Sequence, residues 1–168
     1  SLYGAYGLRR VYYSAFSPIP DAAAALPARP APLVREHRLY QADWLMRFYG
    51  FAHHELALAD DGMLALEVDP KLAWALRERQ HFPVDLNRAP REMLLRVPGL
   101  GVKSVERLLQ ARRVRRLRAA DLQRLRVPLG KVLPFVVTAD HTPGSRLDGA
   151  HLARQLAPVQ GDLFAASN

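Results

Sequence analysis

Apolar positions recur at helical spacing along most of this chain, and the recurrence defines its elements. Between residues 35 and 49, Leu39, Tyr40, Trp44, Leu45 and Phe48 form one broad stripe that Gly50 can end. Residues 52–59 read as a further helix, 60–62 as a turn, and 63–68 as either a short strand or an extended loop. Asp69-Pro70 supplies a cap and a first-turn proline for a helix over 71–79, with Leu72, Trp74, Ala75 and Leu76 turned inward. Trp44 and Trp74 are expected to be core anchors. Farther on, Pro90 occupies a first helical turn that Asn87 can cap, and Met93, Leu94 and Val97 follow at helical spacing. Val105, Leu108 and Leu109 mark the next helix, opened by Lys103 or Ser104. Residues 119–126 read as a third helix with Leu122 and Leu125 inward, and 132–137 as a fourth helix or a closing apolar segment.

The N-terminal part breaks this pattern. Residues 8–16 are rich in β-formers and predict a strand buried on both faces, ended by Ser17-Pro-Ile-Pro20. A Pro/Ala-rich loop or linker then runs to about Leu33. A strand without a partner is not a stable sheet, so this part is expected to belong to a larger domain or to pair with another chain.

Two helices of the pattern are joined by Val97-Pro-Gly-Leu-Gly-Val-Lys103. Gly99 and Gly101, one apolar residue apart, permit a tight reversal with positive φ and let a ligand approach bare backbone, while Leu100 can pin the turn from inside. The amides that follow open a helix, where the macrodipole favours an anion. An ordinary αα-hairpin with a glycine turn has the same outline. The full pattern, with its lead-in Val84-Asp-Leu-Asn-Arg-Ala89, resembles the helix-hairpin-helix motif of DNA-binding proteins. Val127-Pro-Leu-Gly-Lys131 occupies the place of a second, degenerate copy that lacks the first glycine, with Arg126 and Lys131 left for point contacts.

Charge sharpens that picture. From Arg88 to Lys131 thirteen Lys and Arg face three Asp and Glu, a local balance of +10, which leaves −2 for the rest of a chain whose total is +8. A basic run is often only a solvated face, but here it coincides with a turn shaped for phosphate. The 168 residues contain no cysteine, so no disulfide, zinc-thiolate site or iron–sulfur cluster can be built from this chain alone, which fits a cytoplasmic setting. Nothing reads as a transmembrane run or a secretory signal. His53, His54 and Glu55 are neighbours that point about 100° apart on a helix and cannot share one metal, so no metal site is expected.

The tail from Asp140 carries a turn at Thr142-Pro-Gly-Ser145 and a short helix near 150–156. Its end, Gln160-Gly-Asp-Leu-Phe164, resembles the peptide with which bacterial polymerases and repair proteins dock on the sliding clamp, with Gln160, Asp162, Leu163 and Phe164 as anchors and Gly161 in place of the usual leucine.

Tyr12-Tyr-Ser-Ala-Phe-Ser-Pro-Ile-Pro20, Tyr40-Gln-Ala-Asp-Trp44, Asp69-Pro-Lys-Leu-Ala-Trp-Ala75 and the motif at 82–109 together resemble the C-terminal part of the DNA modification/repair radical SAM proteins, over roughly residues 8–137. The resemblance implies that residues 1–34 are the remnant of an upstream partial barrel, with a leftover β-strand. It implies a helical connector at 35–80, a helix-hairpin-helix domain at 81–138 and a tail at 139–168. It also implies that the 4Fe–4S cluster and S-adenosylmethionine belong to a preceding part of such proteins, so that this chain has no catalytic residue of its own. The expected fold is mainly α, a tandem helix-hairpin-helix preceded by helices and that strand. The expected DNA contacts are Pro98, Gly99, Leu100, Gly101, Val102, Lys103, Ser104 and Arg107 around the turn, with Arg91, Arg96, Arg112, Arg113, Arg115 and Arg116 widening the basic face. Contacts of this kind position a duplex without reading bases.

Two rival readings share these residues. In helix-hairpin-helix DNA glycosylases a lysine two residues beyond the second glycine can be the amine nucleophile, and an aspartate about twenty residues beyond it the catalytic carboxylate; Lys103 and Asp121 stand at those spacings. Asp121 also reads as a helix cap, and the proline-rich first third supplies no lobe to hold a flipped base. The other rival is an interaction module that holds a partner protein with Trp44, Trp74 and the Pro-rich loop.

Overall fold

The computed structural model describes residues 6–7, 10–14, 16–21, 25–27, 29–56, 63–144, 152 and 156. Helices dominate these residues, and the exception is a two-stranded parallel sheet.

Helix α1, Leu33–Phe48, buries a different face from the aromatic stripe. Arg38, Ala42, Asp43 and Leu45 point inward, whereas Tyr40, Trp44 and Phe48 are exposed, Trp44 at 54%. The charged residues can sit inside because they are satisfied there. The Arg38 guanidinium donates to the Leu66 carbonyl at 2.9 and 3.1 Å and to Gln41 Oε1 at 2.9 Å. Asp43 pairs with Arg47 at 3.4 Å. Trp74 does anchor the core, with 4% of its surface exposed and Phe51 and Phe82 edge-on to its ring. It lies on α2, Pro70–Arg77, which starts as expected: Asp69 Oδ1 accepts the Leu72 amide at 2.9 Å.

Of the expected N-terminal strand, 8–16, the described residues 10–14 and 16 are not in a strand. The Ala31 amide donates to the Phe16 carbonyl at 3.2 Å, but among the described residues this stretch joins no ladder. The Tyr40 side chain also ties this stretch down: its hydroxyl accepts the Tyr13 amide and donates to the Tyr13 carbonyl, both at 3.0 Å. The helix expected over 52–59 is a single 3₁₀ turn, His53–Glu55; residues 57–62, with the predicted turn, lie outside the described residues. Residues 63–68 are non-helical chain, bent at 63 and 66–68, with an isolated β-bridge at Leu64.

The C-terminal half is organised by strand β1, Val84–Asp85, and strand β2, Val136–Val137, which pair in parallel with Val84 opposite Val136. Between them run α3 (Arg91–Arg96), α4 (Val102–Val114), α5 (Ala119–Arg124), α6 (Leu129–Val132) and a 3₁₀ turn, Leu133–Phe135. The segment 132–137 is therefore neither one helix nor one strand but the end of α6, that turn and β2. Leu94, Leu95, Val97, Leu100, Val105, Leu108, Leu122, Val132 and Phe135 are essentially fully buried and make one core shared by both helix pairs. Leu152, a helical residue of the tail, is also fully buried.

Asn87 does not cap α3, whose N-cap is Pro90 with no side-chain bond. Its amide group donates to the Leu117 carbonyl at 3.3 Å and accepts the Leu117 N–H at 2.7 Å. Asn87 thus ties the lead-in of the first helix pair to that of the second. Among the described residues no helix is long and apolar enough to cross a membrane.

Candidate nucleic-acid interface

The first helix pair is joined at Val97-Pro98-Gly99-Leu100. The Leu100 amide donates to the Val97 carbonyl at 3.1 Å and Gly99 has φ +82, so the segment is a type II turn with proline and glycine in the two positions that prefer them. Pro98 and Leu100 are buried beneath the turn. A Cβ on Gly99 would lie 2.9 Å from Val132 Cγ2 and 3.0 Å from Lys131 Cβ. Gly99 is therefore where the two helix pairs meet.

Gly101 is a different kind of glycine. Its backbone (φ −93, ψ 166) suits any residue, and a Cβ there would meet only Tyr49 Oη at 3.6 Å. Of the two positions expected to need positive φ, only Gly99 does. Gly101 is the N-cap of α4, and no side chain caps that helix. The amides of Val102, Lys103 and Ser104 have no partner within a helix's first turn, and among the described residues no side chain takes them up. The helix starts at Val102, ahead of the expected Lys103 or Ser104.

The second turn lies one step away from the glycine pattern. Arg126 takes the left-handed conformation at φ 57, its amide donates to the Gln123 carbonyl, and the Val127 amide donates to the Leu122 carbonyl, both at 2.9 Å. These two bonds are a Schellman ending. Arg126, buried Val127 and the N-cap Pro128 answer to Gly99, Leu100 and Gly101, while Gly130 falls inside α6.

The predicted cations divide into two groups. Lys103, Arg107, Arg91, Arg113 and Arg116 are exposed. Arg107 Nη1 reaches the Leu125 carbonyl at 3.3 Å and bridges the two pairs, while Arg126 and Lys131 bring two more exposed cations to the second turn. Arg115 keeps 58% of its side chain exposed although it is paired with Asp121. Arg96 and Arg112 do not join this face. Arg96 forks onto Glu55 at 2.7 and 2.9 Å and covers the Phe51 and Trp74 rings at 4.8 and 5.5 Å, fastening α3 to the 3₁₀ turn. Arg112 Nη1 donates to the Leu86 and Ala89 carbonyls at 3.2 and 2.7 Å, closing the loop before α3. Both satisfy part-buried acceptors, and both are spent on the fold.

Burial pushes the Glu55 carboxyl up, but the Ala52 amide and the Arg96 guanidinium outweigh it and hold the group below its usual value. Glu55 is thus committed to Arg96, and His53 and His54 are exposed; among the described residues no group of three or more potential ligands could hold a metal ion. Asp121 accepts the Arg118 amide at 3.0 Å and pairs with Arg115 and Arg124, the arrangement of a helix-capping carboxylate.

Sequence reasoning missed a cleft of about 380 Å³ beside the first turn, bordered by Trp44 and Tyr49 of the α1 end, by Asp69 and Lys71 at the start of α2, and by residues 99–101. Lys71 Nζ donates to the Leu100 carbonyl at 2.5 Å and lies 4.7 Å from the Tyr49 ring centre. Burial pulls its amine down to about 7, opposed by the charge of Asp69. Its position, next to the first-turn Pro70, carries no signal of burial in the sequence. The clamp-like residues Gln160, Asp162, Leu163 and Phe164 lie outside the described residues. No family model, curated protein or solved structure matches the chain.

Proposed function

We propose that this chain binds the DNA backbone, largely independently of sequence, through a tandem helix-hairpin-helix whose first turn grips a phosphate. The observation that carries the reading is the uncapped start of α4 at Gly101, set among the exposed cations Lys103, Arg107, Arg126 and Lys131. The open amides hold one phosphate, and the side chains neutralise its neighbours on the strand. On this reading the chain is the DNA-delivery part of a DNA modification/repair radical SAM protein working in the cytoplasm. The cluster and S-adenosylmethionine then belong to another part of that protein, and the 160–164 peptide docks a sliding clamp.

Fluorescence anisotropy with a labelled duplex tests the grip. Four phosphate-neutralising cations give a slope of log K against log salt of roughly −3 to −4. Gly101→Val keeps an allowed backbone and an uncrowded Cβ, so it folds, but its branched side chain stands over the open amides. Affinity for any duplex falls roughly tenfold or more, in line with loss of a charge-assisted contact. Unchanged affinity at moderate salt overturns the reading. Deleting residues 160–168 abolishes clamp binding and spares DNA binding.

A further inference from the structure

The cleft beside the first turn has the makings of a second, chemically distinct subsite. Its volume of about 380 Å³ falls within the roughly 300–1,000 Å³ of small-molecule pockets. Trp44, on its border, is 54% exposed and held in place by Phe48, whose ring centre lies 4.4 Å away. A large aromatic presented to solvent at a cleft mouth is a stacking platform. Polar groups converge behind it. Lys71 has one described acceptor, the Leu100 carbonyl, for an amine that carries two N–H donors when neutral and three when charged. The Gln41 side chain accepts from Arg38 through Oε1, which leaves its amide hydrogens without a described partner.

The position of the cleft narrows the ligand. Residues 99–101 form one of its walls, and the same residues lead into the open amides of α4. A base and its phosphate are joined by one sugar, so a strand held at those amides brings its bases to this cleft if they are unstacked. We propose that the cleft bounded by Trp44, Tyr49, Lys71 and the first turn receives an unpaired nucleobase of the gripped strand, stacked on Trp44 and hydrogen-bonded by Lys71 and Gln41. The inference rests on the phosphate-grip reading and makes the chain selective for DNA with a displaced base.

The test compares an intact duplex with the same duplex carrying one unpaired, bulged nucleotide, bound by the full chain at one salt concentration. The bulged duplex binds roughly tenfold tighter, the scale of one base–aromatic stack, and only it quenches indole emission. Trp44→Ala removes the quenching and brings the ratio of the two affinities to about one; Lys71→Met and Gln41→Ala lower the ratio in smaller steps. Equal binding of both duplexes by the wild-type chain overturns the base site and leaves the phosphate grip standing. Absence of binding to either overturns both. A bulge preference that survives Trp44→Ala, with circular dichroism confirming the fold, also overturns the site as assigned.

Discussion

The two turns of the C-terminal half place one left-handed residue each, and they do so for different ends. In the first, Gly99 reaches φ +82 with the second helix pair pressed against the place where a Cβ would stand. In the second, Arg126 reaches φ 57 with its side chain in solvent. The N-caps diverge in the same sense. Gly101 leaves the 13-residue α4 uncapped and open, whereas Pro128, with no N–H of its own, heads a helix of only 4 residues. At the start of α5 the donors are already used, by Asp140 on the Ala119 amide and by Asp121 on the Arg118 amide. A similar reversal of chain thus leads into a 13-residue helix in one case and a 4-residue helix in the other, and neither start is capped by a side chain.

The largest break in this comparison comes at Gly99. Gly99→Val combines a left-handed β-branched residue with a contact at 2.9 Å to Val132, a neighbour fixed in the core. Strain and overpacking together destabilise the fold by about 3 kcal/mol or more. Urea denaturation reads the change, and a midpoint within error of wild type would show that the two pairs do not meet at Gly99.

Next in size is the tether from α2 to the first turn, for which the second turn has no described counterpart. The Lys71 amine, drawn by burial to about 7 from 10.5, is mostly neutral in the folded protein above that pH while the unfolded chain still binds the proton. The unfolded state then holds more protons, so stability rises with pH between about 7 and 10. At up to 1.36 kcal/mol per unit, the gain from pH 7 to 9 is at most about 2.7 kcal/mol. Lys71→Met flattens this rise and, by removing the burial penalty, raises stability at pH 7. Urea midpoints across that range check both, and an unaltered slope in the variant refutes the assignment to Lys71.

Arg96→Ala sharpens the division among the cations. Loss of the fork to Glu55 and of the cover on Trp74 lowers stability by about 2 kcal/mol, because a half-buried carboxylate is left unpaired. The Arg113→Ala variant, at an exposed site, moves stability by less than about 0.5 kcal/mol. The pair of variants separates arginines that hold the fold from those that face outward.

That division also marks how far the sequence could be read. Periodicity located α2, α3, α5 and the start of α4 to within a residue or two, since apolar spacing and the Asp69-Pro70 start are local signals. The end of α4, however, runs on to Val114 through arginines that read as a connector. It misjudged α1, where Trp44 and Phe48 match a stripe but Arg38 and Asp43 take the inward places through partners far along the chain or one turn away. Asn87 looked like a cap because a cap is the nearest use for it, and its partner Leu117 is 30 residues distant. The second turn was sought by its glycines, yet the conformation is carried by Arg126, a residue type that seldom announces it. For Arg38 and Asn87 the missed feature is a long-range satisfaction of a polar group, which spacing does not encode.

The smallest effect makes the finest test of the two turns. Arg126→Gly relieves a left-handed conformation worth roughly 1–2 kcal/mol and incurs roughly 0.5–1 kcal/mol of added chain entropy, so stability rises slightly, by about 0.5–1 kcal/mol. Gly99 admits no such exchange in the other direction, which is the asymmetry at issue. If the proposed grip holds, the same variant loses one phosphate contact: affinity falls a few-fold for every sequence alike, and the salt slope becomes shallower by about one unit. Urea midpoints and a salt titration on one preparation read both changes. A variant that is destabilised shows Arg126 to be held by packing rather than strained, and one with an unchanged salt slope removes the second turn from the DNA face.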